Sequence, residues 1–280
     1  MRSSSVKKIA LALVVGIFCL NALLPFGWIM LNAFKGEKEF YASSSTRHLL
    51  PAEPTLDNFR QVLRSDGDLP AFFRNSLVVA LGTVVATLLI VIFAAYAIAR
   101  FEFPGRDLCY YLFLISMLFP GEAVLVSLYE MLFKLHLLNT IPGLILPTTA
   151  AAIPMALFLL RDIFENIPRD LEDAAMIDGC GRLRILWHVV LPNSMAGLSS
   201  VALLTFLAAW NDFGLPLVLT KDDQAMTIAA GVARLQDQFG NYELNVLCAA
   251  ILLVFVPIGL LFLVAQRSFV RGLMGGAVKG

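Results

Sequence analysis

The chain has 280 residues, of which 59% are hydrophobic and only 15% are charged, and its formal net charge is zero. Soluble domains average about 45–50% apolar and about 25% charged residues, so the charges are too few to coat one or two soluble globules. A neutral chain also gives no support to nucleic-acid binding, which requires a basic surface. The composition therefore predicts a membrane protein, which must be all-α because a backbone in hydrocarbon has to satisfy its own hydrogen bonds.

Six apolar runs are long enough to cross a bilayer, which takes about 20 helical residues. Their approximate bounds are 9–34, 75–99, 108–133, 140–160, 194–219 and 244–266. The first run is longer than the apolar core of a signal peptide, so we interpret it as an uncleaved span. Pro120-Gly121 interrupts the third. The sequence thus predicts a single domain, 1–280, with six transmembrane helices.

An even number of spans places both termini on one side of the membrane. Lys and Arg residues are modestly enriched in the segments that share a side with the termini, and the short loop Arg100 to Arg106 is the clearest example. Because basic residues favour the cytoplasmic side, we expect both termini in the cytoplasm and the long loop 35–70 outside. In that loop, Pro54 and Thr55 predict the start of a short helix.

The segment 161–192 is the most charged part of the chain, although a far shorter turn could join its two flanking spans. Pro168 suits a first helical turn, and Gly179 stands where a helix would stop. A second short helix is predicted from Arg182 to Val190, and Pro192 is expected to start the next span. The residues alone leave two interpretations open: an element that transmits force from a soluble partner, or a solvated charged loop.

The same segment carries a spaced motif. Asp173-Ala-Ala is followed by three residues and Gly179, and nine residues later comes Val189-Val-Leu-Pro192. This spacing resembles the EAA motif of ABC-importer permeases, which runs Glu-Ala-Ala, three residues, Gly, nine residues, Ile-x-Leu-Pro. Asp173 stands for the glutamate and Val189 for the isoleucine. Because Glu172 precedes Asp173, the motif leaves open which carboxylate acts.

Other segments extend the likeness to MalG-type carbohydrate permeases over nearly the whole chain. The matching segments are Phe34-Lys35, Leu56-Asp-Asn-Phe59, Arg74-Asn-Ser76, Arg100-Phe-Glu-Phe-Pro104, Trp210-Asn211-Asp212 and the tail from Gln266 to Gly280. The resemblance implies the type I ABC-importer permease fold and a location in the bacterial cytoplasmic (inner) membrane.

The resemblance also implies partners. Such a permease is half of a heterodimer with a second, MalF-like permease, above a cytoplasmic ABC ATPase dimer, and an extracytoplasmic solute-binding protein delivers a carbohydrate. The chain contains no Gly-Lys dipeptide and therefore no phosphate-binding Walker loop. ATP and Mg²⁺ are expected on the separate ATPase, and this chain is expected to be non-catalytic, without a cofactor or metal of its own.

Site residues follow from the same resemblance. For contact with the ATPase it implies Glu172, Asp173, Ala174, Ala175, Asp178, Gly179, Leu191 and Pro192, and in the C-terminal tail 267–280 it adds Gly275, Gly276 and Lys279. Polar groups inside spans are costly and often functional, which makes Glu122, Trp210, Asn211 and Asp212 candidates for the substrate path. Each has a plainer explanation, such as an interfacial aromatic belt around Trp210.

Other functions fit less well. A permease for a glycerol-phosphate-type solute remains an alternative, although no strong cationic cluster in the spans marks a phosphate ligand. A secondary transporter would need an ion site near the midplane and usually internal repeats, neither of which we find. A membrane hydrolase would need a motif such as HExxH or GxSxG, and the sequence has neither. A structural scaffold would not explain the motif spacing.

Overall fold

The computed structural model describes residues 2–41, 50–64, 69–238 and 244–277. These residues form helices and no strand, which confirms the predicted all-α class. The helices are α1 (Arg2–Ala33), α2 (Glu37–Tyr41), α3 (Asp57–Arg64), α4 (Leu69–Arg100), α5 (Arg106–Ser116), α6 (Gly121–Lys134), α7 (Ile141–Glu165), α8 (Arg169–Ile177), α9 (Arg182–Ile185), α10 (Leu191–Asn193), α11 (Met195–Asn211), α12 (Gly214–Leu219), α13 (Ile228–Gln238) and α14 (Leu244–Ala277), with a π-helical turn at Leu186–Val190 between α9 and α10.

Three of the described helices are long and apolar enough to cross a membrane, over Leu11–Ala33, Leu69–Arg100 and Ile141–Glu165. A fourth candidate is the pair Arg182–Asn193 and Met195–Asn211, which is bent by 80°. The predicted third span is divided into α5 and α6, as the Pro120-Gly121 interruption indicates. Three or four apolar helices able to span a bilayer are therefore found over the described residues, and the predicted count of six stays a prediction.

Several predicted bounds differ from the helices. The helix predicted for 140–160 continues to Glu165, so the start of the charged segment is helical. Pro192 does not start the next span; it lies in α10, and α11 begins at Met195 beyond the bend. A proline has no N–H to donate to the preceding turn, which favours an interruption at this point. At the end of the chain, α14 runs past 266 to Ala277, so most of the predicted tail is helical.

One compact unit comprises the described parts of Met1–Leu69 and Val232–Pro257. Its central polar residue is Asn58 on α3, whose buried Nδ2 donates to the carbonyl oxygens of Ala33 and Lys35, each at 2.8 Å. Its Oδ1 accepts from Nδ2 of Asn245 on α14 at 2.9 Å. The ring of Phe59 packs against Phe34 at 5.2 Å between centroids. One asparagine thus joins the end of α1, the outer-loop helix and α14.

The other unit comprises the described parts of Pro70–Gly231 and Ile258–Gly280. An apolar cluster of this unit joins one end of α4 and of α7 to the segment after α8 and to α11. It includes Val91, Ala95, Tyr96, Leu157, Leu160, Phe164, Ile185, Leu186, Val190, Leu198 and Val201. The helices approach closely: a Cβ at Gly82 would lie 2.6 Å from Ile145, and one at Gly197 would lie 2.5 Å from Ile163. Small residues permit such close helix packing in membranes.

Polar contacts hold the other end of this unit. Nδ2 of Asn75, near the start of α4, donates to the carbonyl oxygens of Gln224 (3.0 Å) and Met226 (3.1 Å). Ser76 Oγ accepts a hydrogen bond of 2.8 Å from the backbone N–H of Ile228, which is the first residue of α13. The segment after α12 is therefore attached to the first turns of α4 by side-chain to backbone bonds.

Replacing Asn58 should destabilise the protein more than replacing a buried asparagine that bonds within its own helix. In Asn58→Ala the carbonyl oxygens of Ala33 and Lys35 and the side-chain amide of Asn245 lose their hydrogen-bond partner. Each buried polar group left unpaired costs about 1–3 kcal/mol. The matched control is Asn32→Ala, because Asn32 is also buried but donates only to Trp28 one turn earlier. Thermal denaturation of the purified complex measures both; equal midpoints would contradict the role of Asn58.

Candidate functional site

The charged segment forms a helix with a well-defined end. Helix α8 (Arg169–Ile177) follows Pro168 and carries Asp170 and Glu172 in its first turn, where carboxylates complement the helix dipole. At its other end, the N–H of Gly179 bonds to the carbonyl of Met176 and that of Cys180 to Ala175, each at 3.0 Å. These two bonds, with Gly179 at φ +81°, make a Schellman motif. The helix stop predicted at Gly179 is confirmed.

The two carboxylates that the motif left open face in opposite directions. Glu172 is buried, with 3% of its surface exposed, and its Oε1 lies 2.5 Å from Nε of Arg100 at the end of α4. Asp173 is exposed, as are Ala174 and Asp178. Glu172 therefore faces the interior of this chain, whereas Asp173 is available to another molecule.

The outward face of α8 also carries apolar side chains. Ile177 is 87% exposed, and Leu171 on α8 and Leu183 on α9 are also exposed. Large apolar side chains beside carboxylates on a charged loop are typical of a surface that another protein covers. Ala175, by contrast, is half-buried and packs against the apolar cluster of the second unit.

The segment after Gly179 turns back into the core. The predicted helix from Arg182 to Val190 begins at the right residue, but its second half is the π-helical turn Leu186–Val190. Leu191 is buried in the apolar cluster and Pro192 is exposed. Beyond them, Ser194 Oγ donates to the carbonyls of Val190 (2.8 Å) and Leu191 (3.0 Å). These bonds satisfy backbone groups at the bend, where the helical pattern is interrupted.

Three of the substrate-path candidates lie side by side at the end of α11 but differ in exposure. Trp210 is 1% exposed and packs between Phe73 and Phe206, so its indole ring is occupied within the chain. Asp212 Oδ1 accepts from the N–H of Leu215 at 3.3 Å in the first turn of α12. Asn211 is exposed and donates to Leu207 in its own helix at 2.9 Å. Of these three, Asn211 presents a polar group at the surface.

The remaining candidates are placed only in part. Glu122 belongs to α6, but its side chain lies outside the described residues. Gly275 and Gly276 belong to α14, and Lys279 lies outside the described residues.

Two arginines that sequence reasoning did not assign to the site connect this loop to the end of α4. Arg100, which the sequence indicated as a cytoplasmic charge and as the start of a segment resembling carbohydrate permeases, donates from Nη2 to the carbonyl of Ile167 at 2.9 Å in addition to its pair with Glu172. The guanidinium of Arg182 lies 5.6 Å from the ring centroid of Phe101. A signal was available: an arginine that ends an apolar span directly before an aromatic residue is a candidate for a buried partner.

Comparisons with known proteins identify the class. Residues 86–275 match the family described as binding-protein-dependent transport system inner membrane component, and the chain belongs to this family. It is therefore a permease subunit of an inner-membrane ABC transport system and not an enzyme, as the EAA-like spacing predicted.

The relatives cover the chain almost completely. It is 37% identical over 268 residues to the sulfoquinovosyl glycerol transport system permease protein SmoH of Agrobacterium fabrum, covering 96% of this chain and 93% of that protein. It is 35% identical over 282 residues to the trehalose/maltose transport system permease protein MalG of Thermococcus litoralis, with full coverage of both. Among solved structures, a bacterial ABC transporter involved in alginate import shares the fold, with a TM-score of 0.81, 23% identity and 96% and 98% coverage.

The conformation of Gly179, rather than the space around it, predicts the effect of substitutions. A Cβ at Gly179 or at Gly181 would meet no atom within 4 Å, but only Gly179 has a positive φ. A left-handed conformation costs a non-glycine residue about 1–2 kcal/mol, so Gly179→Ala should destabilise the loop, Gly179→Asn less so, and Gly181→Ala hardly at all. Limited proteolysis of the loop in the purified complex measures this order; equal cleavage of the two alanine variants would contradict it.

Proposed function

We propose that the chain is the permease subunit of a carbohydrate importer, forming half of a transmembrane heterodimer whose energy comes from a separate ATPase. The observation that carries the proposal is the outward face of α8, where Asp173, Ala174 and Ile177 are exposed at a rigid helix end. The relatives support the cargo class, because their names specify sulfoquinovosyl glycerol, trehalose and maltose. ATP and Mg²⁺ bind the ATPase, since this chain has no Walker loop.

We infer six spans with both termini in the cytoplasm. Helices α1, α4 and α7 supply three spans, and the bent pair ending at Asn211 supplies another. We assign the third predicted span to α5 and α6 together, because 11 and 14 residues are each too short to cross alone. Helix α14, apolar from Leu244 to Leu260, supplies the last. This arrangement places α8 in the cytoplasm and loop 35–70 outside, where the solute-binding protein docks.

The coupling site consists of the outward residues of the loop. We assign direct ATPase contact to Asp173, Ala174, Asp178 and the apolar side chain of Ile177, in a cleft with an apolar floor and basic groups at its rim. Gly179 sets the direction of the chain after the helix. Glu172, Ala175 and Leu191 support this surface from within, since all three face the core or the chain interior. The tail residues Gly275, Gly276 and Lys279 extend the contact.

The cargo is a neutral sugar, oligosaccharide or polyol in this proposal. Asn211 has a surface-exposed side chain near the end of α11, where its amide can bond to sugar hydroxyls. Trp210, the residue before Asn211, fixes the end of α11 by packing against Phe73 and Phe206. The second permease supplies the remaining contacts. An anionic glycoside is the competing cargo, favoured by the relative that transports sulfoquinovosyl glycerol.

A charge on the outward face of α8 should break the contact with the ATPase. We expect Ala174→Asp and Asp173→Lys to retain the second permease on purification through a tag on this chain, but to lose the Walker-containing ATPase and at least about tenfold of the transport rate. The control is Asp107→Lys, because Asp107 is an exposed carboxylate in the first turn of a different helix, α5, where it pairs with Arg106. Normal substrate-stimulated ATPase activity in Ala174→Asp would disprove the assignment.

Asn211→Leu should weaken transport without affecting assembly. If Asn211 bonds to the cargo, the apparent KM for transport rises roughly two- to tenfold, since the net contribution of one hydrogen bond is about 0.5–1.5 kcal/mol. Ser199→Leu serves as the control, because Ser199 is also exposed on α11 but bonds only to Met195. Uptake into proteoliposomes is measured with neutral and anionic glycosides. An unchanged KM for every cargo removes Asn211 from the path, and uptake of anionic glycosides alone favours the competing cargo.

A further inference from the structure

The end of α4 is attached to the start of α8 by a buried ion pair. Arg100 is the last residue of α4, and Glu172 lies in the first turn of α8. Their side chains are each only 4% exposed, and Nε and Oε1 are 2.5 Å apart. The same guanidinium donates from Nη2 to the carbonyl of Ile167 at 2.9 Å. Arg100 therefore binds both a side chain of α8 and a backbone carbonyl just before that helix.

Two further contacts reinforce this attachment. The hydroxyl of Tyr96, one turn before Arg100 on α4, lies 3.5 Å from Oε2 of Glu172. Phe101, the residue after Arg100, lies beneath the guanidinium of Arg182 in α9. Tyr96, Arg100 and Phe101, at and just after the end of α4, thus each contact α8 or α9. Tyr96 also belongs to the apolar cluster that contains Phe164 and Ile185.

The pair resists separation because of its burial. Buried ion pairs contribute little net stability compared with apolar packing, but separating the partners leaves an uncompensated charge in a low-dielectric interior, which is strongly unfavourable. Such a contact does not slide or open gradually. When α8 is displaced, the end of α4 has to follow it, whereas an exposed pair would exchange its partner for water.

We propose that Arg100 and Glu172 are positioning residues that transmit the displacement of α8 to the second span, α4. This proposal rests on the proposed contact between the outward face of α8 and the ATPase, but it concerns the opposite face of the helix. Asp173 and Ala174 meet the ATPase, and Glu172 conveys the movement to the membrane. The adjacent carboxylates of the motif therefore have separate tasks.

The geometry requires arginine at position 100. Its planar guanidinium reaches the carboxylate through Nε and the carbonyl of Ile167 through Nη2 at the same time. A lysine ammonium is a point charge on a flexible stem and does not reproduce this fork. Arg100→Lys therefore retains the charge but loses the rigid link.

The test uses the complete transporter reconstituted in proteoliposomes with its binding protein and cargo. We expect Glu172→Gln and Arg100→Lys to assemble with the ATPase and to hydrolyse ATP, but to transport at least fivefold less substrate per ATP. The matched control is Glu165→Gln, which removes a carboxylate paired with Arg161 at a half-exposed site within one helix. This control should transport as much substrate per ATP hydrolysed as the unmodified protein does.

A double variant keeps the test decisive if the single variants assemble poorly. Arg100→Met/Glu172→Leu leaves no unpaired buried charge, so it should assemble, yet it should show the same fivefold loss of transport per ATP. A ratio within twofold of the unmodified protein, in this variant or in Glu172→Gln, would overturn the proposal. So would loss of assembly in the double variant, because the pair would then serve folding alone.

The two proposals fail in different ways. If Glu172→Gln loses the ATPase on purification, Glu172 belongs to the docking surface and the transmission role is overturned, while the coupling site stands. If Ala174→Asp keeps a normally stimulated ATPase, the coupling site itself is wrong, whatever Glu172→Gln does.

Discussion

The contact between Arg100 and Glu172 is the interaction on which the arrangement of the charged loop around α8 depends. A chain with so few charges places two of them in its interior, side by side, where each is tolerated only because of the other. The pair joins the end of a long apolar helix to a short helix whose other face is exposed. Because this contact is buried, the exposed face of α8 has a defined position relative to the end of α4. In the proposed role, a partner that binds the exposed face moves both helices together.

Polar side chains have a similar role elsewhere in the chain. Asn58 joins three segments of its unit through bonds to two carbonyls and a second asparagine. Asn75 and Ser76 hold the segment before α13 against the first turns of α4. In each case a buried or half-buried amide or hydroxyl satisfies backbone groups that helix ends leave open. Apolar packing brings the helices together, and these few polar residues specify where the connecting segments lie.

These contacts give physical meaning to the short segments that resemble carbohydrate permeases. Leu56-Asp-Asn-Phe59 contains the asparagine and the aromatic ring that fasten α3 to the end of α1. Arg74-Asn-Ser76 holds the segment after α12, and Arg100 holds α8. Trp210 fills a space between Phe73 and Phe206. The likeness therefore extends over residues that position elements, as well as over the charged loop.

Much of this protein follows from its sequence alone. The scarcity of charge and the long apolar runs predict membrane helices, because hydrocarbon accepts only a self-satisfied backbone, and α1, α4 and α7 agree. Gly179 predicts the end of α8, because only a residue tolerant of positive φ completes a Schellman motif. The spacing from Asp173 to Pro192 identifies the family. These features are local, or arise from the solvent, so composition and spacing are sufficient to reveal them.

Only the tertiary structure shows which side chains contact residues that are far away in the sequence. Glu172 and Asp173 are neighbours with similar chemistry, and a helical pattern does not say which of them faces Arg100, 72 residues earlier. Trp210 looks like a cargo ligand until its ring is found buried between two phenylalanines. The π-helical turn and the 80° bend before α11 lie on either side of Leu191, which packs into the core, and Pro192. Periodicity records which residues share a face, but the partner of that face is determined by the fold.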